Sequence, residues 1–220
     1  MRPTRALFAS SRWSATLAWL HATAMALPSV LLVLVACSPA SPFHASIALK
    51  PVPPPPSVTK IPVTVGIYYA PAFRTYEHTW RQDGTTFHLN VGNASMRLLT
   101  ACVAALAERT LVVARRPPLR AVPPVAAVIE AEITTFNLMY TAIRAQASVT
   151  YRFTLYSSEG AALGSWTVTG AGASLPFAYI TPGYGPRDAA TNAMEDAAKT
   201  FSSGFHEVPE VQGWLQQVTS

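Results

Sequence analysis

Val128-Ile129-Glu130-Ala131-Glu132-Ile133-Thr134-Thr135-Phe136-Asn137 is followed, after a short gap, by Ile143-Arg144-Ala145-Gln146-Ala147-Ser148-Val149-Thr150-Tyr151-Arg152-Phe153-Thr154-Leu155-Tyr156. In the first stretch Ile129, Ala131 and Ile133 fall on one face and Glu130, Glu132 and Thr134 on the other. In the second, Val149, Tyr151, Phe153 and Leu155 oppose Ser148, Thr150, Arg152 and Thr154. A period of two held over such lengths marks half-buried strands. Folding the pair back near Tyr140-Thr141 sets Glu130 beside Arg152 on the polar face and Ile129 beside Phe153 on the apolar one. A slip of one residue would break the agreement of both faces.

Working outward, Glu159-Gly160 turns the chain into a third strand, Leu163 to Gly170, where Trp166 and Val168 join the apolar side. Upstream, Val63, Val65, Ile67 and Tyr69 alternate in Pro62 to Tyr69, and Thr110 to Ala114 reads as a short strand. Asp83-Gly84 suggests a small hairpin. Between these strands lies a helix with Asn93 as its N-cap and a stripe of Met96, Leu99, Cys102, Val103 and Leu106. A second helix opens at Pro186, with Asp188 near its positive end and Ala190, Met194, Ala197 and Phe201 as its stripe. Gly204 is its expected C-cap, and a last short helix follows from Pro209. One apolar stripe per helix and one apolar face per strand imply a two-layer α+β sandwich. Its mostly antiparallel or mixed sheet has four to five strands, with two helices on one face and a comparatively polar opposite face.

The amino terminus has a different character. Arg2, Arg5 and Arg12 with no acidic residue precede an apolar run ending at Leu34-Val35-Ala36-Cys37. That is the order of a secretory signal. An uncleaved membrane anchor would need His21 and Pro28 inside the bilayer, and the apolar run is too short to span about 30 Å as a helix. Leu34 to Cys37 resembles the lipobox of bacterial lipoproteins. The resemblance implies removal of 1–36, a diacylglycerol and an N-acyl chain on Cys37, and, with Ser38 next, a lipid-anchored place on the periplasmic face of the outer membrane. Residues 37–60, with Pro39, Pro42, Pro51 and the run Pro53 to Pro56, read as an extended tether reaching about 70 Å at about 3.1 Å per residue. Residues 61–220 form the single periplasmic domain.

Without the three leader arginines, 13 basic residues face 11 acidic ones, and no basic face of the kind that binds nucleic acid is formed. Arg115, Arg116 and Arg120 form one basic knot, broken by Pro117 and Pro118 and expected to be a solvated loop. With Cys37 acylated, Cys102 has no disulfide partner and reads as a small buried hydrophobe. Gly170-Ala171-Gly172 lacks the third glycine and the adjacent helix of a dinucleotide loop. His44, His78, His88 and His206 are not at metal-ligand spacing. His78 and His88 could approach across the Asp83-Gly84 hairpin as solvated imidazoles. Glu130 and Glu132 share a face, but Arg152 opposite them makes charge pairing the better account than a catalytic carboxylate pair. The sequence thus implies no catalytic residue, no metal and no cofactor beyond the lipid on Cys37.

The order of elements after a lipidated cysteine resembles that of periplasmic accessory lipoproteins. These are the lipopolysaccharide-assembly lipoprotein (LptE), the amino-terminal part of the curli-secretion lipoprotein, and the lipoprotein activators of peptidoglycan synthases. The resemblance implies a protein partner in envelope biogenesis or secretion rather than an enzyme, and it extends to no residue motif. A carrier or sensor of a small amphiphile, lipid or lipopolysaccharide, is the alternative. Gly170 to Gly185 is the longest irregular stretch of the domain, and its Phe177, Tyr179 and Tyr184 are the candidate partner-binding residues, with capping of the core as their other possible role.

Overall fold

A computed structural model describes residues 43–45, 60–82, 85–118, 125–178 and 183–219. The leader, Cys37, most of the proline-rich segment, the Asp83-Gly84 turn, Arg120, Tyr179 and Ile180 lie outside the described residues. In chain order the elements are β1 (Phe43–Ala45), β2 (Ile61–Tyr69), α1 (Pro71–Arg74), β3 (His78–Gln82), β4 (Thr85–Leu89), α2 (Val91–Leu106) and β5 (Ala107–Val113). They continue with β6 (Ala127–Tyr140), β7 (Ala145–Ser157), β8 (Ala162–Ala173), α3 (Tyr184–Gly204), a 3-10 turn at Phe205–Glu207 and α4 (Pro209–Thr219).

Five strands make the main sheet in the order β5-β2-β6-β7-β8. β2 runs parallel to both its neighbours, and β6, β7 and β8 are antiparallel, so the sheet is mixed. The two-layer α+β architecture is the one expected, with α2 and α3 on the same side. Val65, Ile67, Ile129, Val149 and Phe153 are buried there against Leu99, Val103, Leu106, Met194 and Phe201. Met96, Ile133 and Trp166, expected in this core, pack against it only partly buried.

The central hairpin differs from expectation by two residues. Glu132, not Glu130, stands opposite Arg152, and Ile129 is opposite Leu155 rather than Phe153. The turn is a four-residue loop, 141–144, closed by the Thr141 amide donating to the Arg144 carbonyl at 2.9 Å, and the strands run closer to it than expected, to Tyr140 and from Ala145. An even shift leaves both faces as read. A bulge between Ile133 and Thr135 then exchanges the faces, so that Phe136 lies opposite Val149 on the apolar side.

Local signals moved in instructive ways. Asn90, not Asn93, caps α2: its side chain accepts a hydrogen bond from the Asn93 amide at 3.2 Å. α3 starts two residues before Pro186, after Gly183 at φ 82°. Gly204 is right-handed and does not stop the chain, which continues into the 3-10 turn and buries Phe205. The expected spacer is also partly structured, since Phe43–Ala45 pair in parallel with β4 and complete a second, three-stranded sheet, β1-β4-β3. A three-residue strand between prolines is too short to show a period. This small sheet packs on the far half of β6, with His78 on Phe136 at 4.9 Å between ring centroids and Trp80 stacked on Phe87 at 4.9 Å.

Two hydroxyl pairs lie in the helix–sheet interface. Ser95 Oγ and the Tyr151 hydroxyl are 2.7 Å apart, and the Tyr69 hydroxyl lies 2.9 Å from Thr100 Oγ1. Burial raises both tyrosine pKa values. Along β8 the glycines that suggested a nucleotide loop have a packing role. A Cβ on Gly170 or Gly172 would overlap the α3 backbone at Ala193 and Ala197, or at Ala189 and Ala193. Helix and strand therefore approach backbone to backbone. At the edge of the sheet, the Ala171 amide donates to Asp196 at 3.0 Å, and the Asn192 amide group donates to the Ala173 carbonyl at 2.8 Å. An edge strand's open hydrogen-bonding groups invite pairing with other chains, and here the helix takes two of them.

Candidate functional site

β6, β7 and β8 run well past the end of β2, which stops opposite Ala131. At that far end the β6–β7 loop meets the chain leaving β8. The Phe177 amide donates to the Ile143 carbonyl at 2.7 Å, and the Ser174 amide donates to the Ala145 carbonyl at 2.9 Å. Ser174 Oγ accepts the Ala145 amide at 3.1 Å, closing the junction. These bonds fix a cluster of exposed apolar side chains: Met139, Tyr140, Ile143, Leu175 and Phe177, with Tyr184 at the start of α3. Phe177 is 56% exposed and sits at φ 61°, a conformation that costs a non-glycine residue roughly 1–2 kcal/mol. Over the Tyr184 ring lies the Arg187 guanidinium, 4.4 Å from its centroid, and Arg187 also meets Asp188 at 3.4 Å. Burial pushes the Tyr140 hydroxyl up to about 12, partly opposed by the Trp80 indole beside it.

Two open grooves flank this end. One, on the outer face, is lined by Asn137, Met139, Gln146, Ser148 and Ala171. The other, between β8 and α3, is lined by Leu175, Arg187, Asp188, Thr191, Asn192 and Glu195. Both are open to solvent rather than enclosed: the first is walled mostly by apolar surface, Met139 included, and the second by polar and apolar surface in similar measure, Leu175 included.

The other concentration of chemistry is on the outer face of β6 and β7. Glu130 is only 2% exposed. Arg116 clasps it through Nε at 2.8 and 2.9 Å and through Nη2 at 2.7 Å, and the Tyr156 hydroxyl donates to it at 3.1 Å. Arg152 pairs with the neighbouring Glu132. The hydrogen bond to Glu130 and its charge raise the Arg116 pKa. Burial, then the Glu130 charge, raises that of Tyr156. Arg116 is an exposed loop residue, as expected, but it also ties the segment after β5 to the sheet and covers Glu130; part of the face expected to be polar is buried, since Val128 lies on it with no exposure. A carboxylate whose lone pairs are occupied by a guanidinium and a phenol is poorly disposed to accept a substrate proton.

Cys37 and Tyr179 lie outside the described residues, whereas Phe177 and Tyr184 stand at the exposed end. Met139, Tyr140 and Ile143 were not read as part of this surface. Their signal was Leu138-Met139-Tyr140 and Ile143 crowding a turn that needs no large apolar residue. His78 is half-buried with its pKa lowered by burial, not solvated, and His88 pairs in register with Thr79. Cys102 is buried, and burial raises its thiol pKa. Among the described residues no group of three or more His, Cys, Asp or Glu side chains could hold a metal ion. No helix among them is long and apolar enough to cross a membrane.

No protein-family model matches the chain, and no curated protein matches it. Its fold does resemble solved structures. The crystal structure of protein XCC0632 from Xanthomonas campestris, of the DUF330 family, superposes with a TM-score of 0.56 at 12% identity, over 81% of this chain and 99% of that one. Protein CT253 from Chlamydia trachomatis gives a TM-score of 0.36 at 12% identity, over 70% and 98% of the two chains. Lipoprotein GNA1162 from Neisseria meningitidis gives 0.33 at 13% identity, over 51% and 85%. The first likeness shows a shared fold; at such identity it transfers neither residues nor activity, and nothing about this chain rests on the other two.

Proposed function

We propose that this chain is a lipid-anchored accessory protein of the bacterial cell envelope. It is acylated at Cys37 and works by docking, in envelope biogenesis or secretion, rather than by catalysis. The observation behind this reading is the exposed end of the sheet, where Phe177 is held outward in a strained backbone conformation by the bond to Ile143. Buried apolar groups would need no such arrangement, and an exposed apolar cluster of this kind marks an interaction surface. The lipobox before Cys37 supplies the anchor. The carboxylates of the outer face are already paired, which favours docking over acid–base chemistry.

A carrier of a small amphiphile has less support, because the grooves beside the exposed loop are open rather than closed. Closed apolar chambers are what small-molecule sites usually require. Cell fractionation of Cys37→Ser tests the anchor: the variant is expected to keep its leader and leave the outer-membrane fraction. Normal processing with unchanged fractionation would overturn the proposal.

A further inference from the structure

The direction in which the chain enters the domain identifies what the exposed end meets. β4 runs away from the tip of the β3–β4 hairpin, and β1 is parallel to it, with Phe43 opposite Phe87 and Ala45 opposite Leu89. The chain therefore comes into β1 from the side of the hairpin tip. β3 approaches that tip along the far half of β6, its His78 ring on Phe136 and its Trp80 indole beside Tyr140. The hairpin tip, the entry to β1 and the exposed Tyr140, Ile143, Leu175 and Phe177 thus share one end of the domain. Phe43 is six residues after Cys37, and six residues span at most about 20 Å. The tether read from the sequence was far longer, and the pairing of Phe43–Ala45 removes most of its reach.

We infer that the exposed apolar end rests on the lipid surface that holds Cys37, with Ile143, Leu175 and Phe177 entering the interfacial layer. This rests on the acylation of Cys37 proposed above. The side chains suit the occupant: aromatic rings with a polar edge, Tyr140 and Tyr184, favour the headgroup level, and aliphatic and phenyl groups enter below it. Exposed Arg81 and Arg144 lie at the same end, in the hairpin and beside Ile143, and their cations complement anionic headgroups. A short anchor makes the local concentration of this surface at the bilayer high, so modest apolar contacts suffice to orient the domain.

The test uses the full-length acylated protein, extracted from membranes and reconstituted into phosphatidylethanolamine–phosphatidylglycerol nanodiscs. An environment-sensitive fluorophore is attached at Phe177→Cys, at Ile143→Cys, or at Ser158→Cys in the β7–β8 turn at the opposite end; buried Cys102 and acylated Cys37 do not compete for label. Nitroxide lipids spin-labelled near the headgroup should quench the first two probes several-fold more strongly than the third. Equal quenching at all three sites, or none at Phe177→Cys and Ile143→Cys in protein that remains disc-bound, would overturn the inference while leaving the anchor reading intact. So would a photoreactive residue at position 177 that, in cells, crosslinks to a protein instead of lipid. Protein that joins the discs equally well as Cys37→Ser would instead refute the anchor reading.

Discussion

Removing Arg116 should harm the fold more than removing the residue it binds. Glu130 is 2% exposed while the Arg116 side chain is 55% exposed, so the two ends of the clasp have unequal recourse to water. In Glu130→Ala, Arg116 can turn outward and regain hydration, and the loss is about 1–2 kcal/mol for hydrogen bonds to a charged group. In Arg116→Ala, Glu130 stays beneath Tyr156 with one phenolic donor and no cation. Stranding one member of a fully buried pair costs about 3–5 kcal/mol, and the surviving phenol and partial exposure of the original pair bring the expectation to roughly 2–3 kcal/mol. Urea denaturation of both variants at neutral pH measures this. Equal losses to within about 0.5 kcal/mol would refute the account of an enclosed carboxylate.

Three further outcomes follow from packing. Gly172→Val should force α3 off β8, since even a Cβ there overlaps the α3 backbone, and thermal unfolding should show a loss of several degrees, about 2 kcal/mol or more. Phe153→Ala, in a site with no exposure, should lose about 3–5 kcal/mol by denaturant titration. At position 177, Phe177→Gly should be more stable than Phe177→Ala by about 1 kcal/mol, because only glycine adopts φ 61° without strain.

The layout of the domain was legible because its helices and most of its strands bury one face more than the other. Val149 to Leu155 announced an apolar face by period alone, and register errors of two residues left it untouched. What was hidden depends on long-range geometry. The bulge after Ile133 exchanges faces without any glycine or proline to mark it. Arg116 is exposed as read, but its pairing was hidden because its partner, fourteen residues on, is chosen by the sheet and not by sequence spacing. Phe43-His44-Ala45 read as spacer because its only structural cue is a partner, β4, far along the chain. The exposed end was half visible: Phe177 and Tyr184 stood out among glycines and prolines, but Met139 and Ile143 were absorbed into a strand end and a turn until the two loops were seen to meet.

The contacts of Asp196 and Asn192 with β8 bind two hazards into one event. α3 covers the greasy side of the sheet with Ala193 and Ala197 and, from the same turns, stops the ladder of β8 from recruiting a neighbour. Any fluctuation that lifts the helix therefore bares sticky surface and a growing edge together. Where copies are crowded together, such openings would meet one another often. The fit between glycine and alanine backbones that keeps α3 seated is thus a safeguard for the whole population of molecules and not only for each fold.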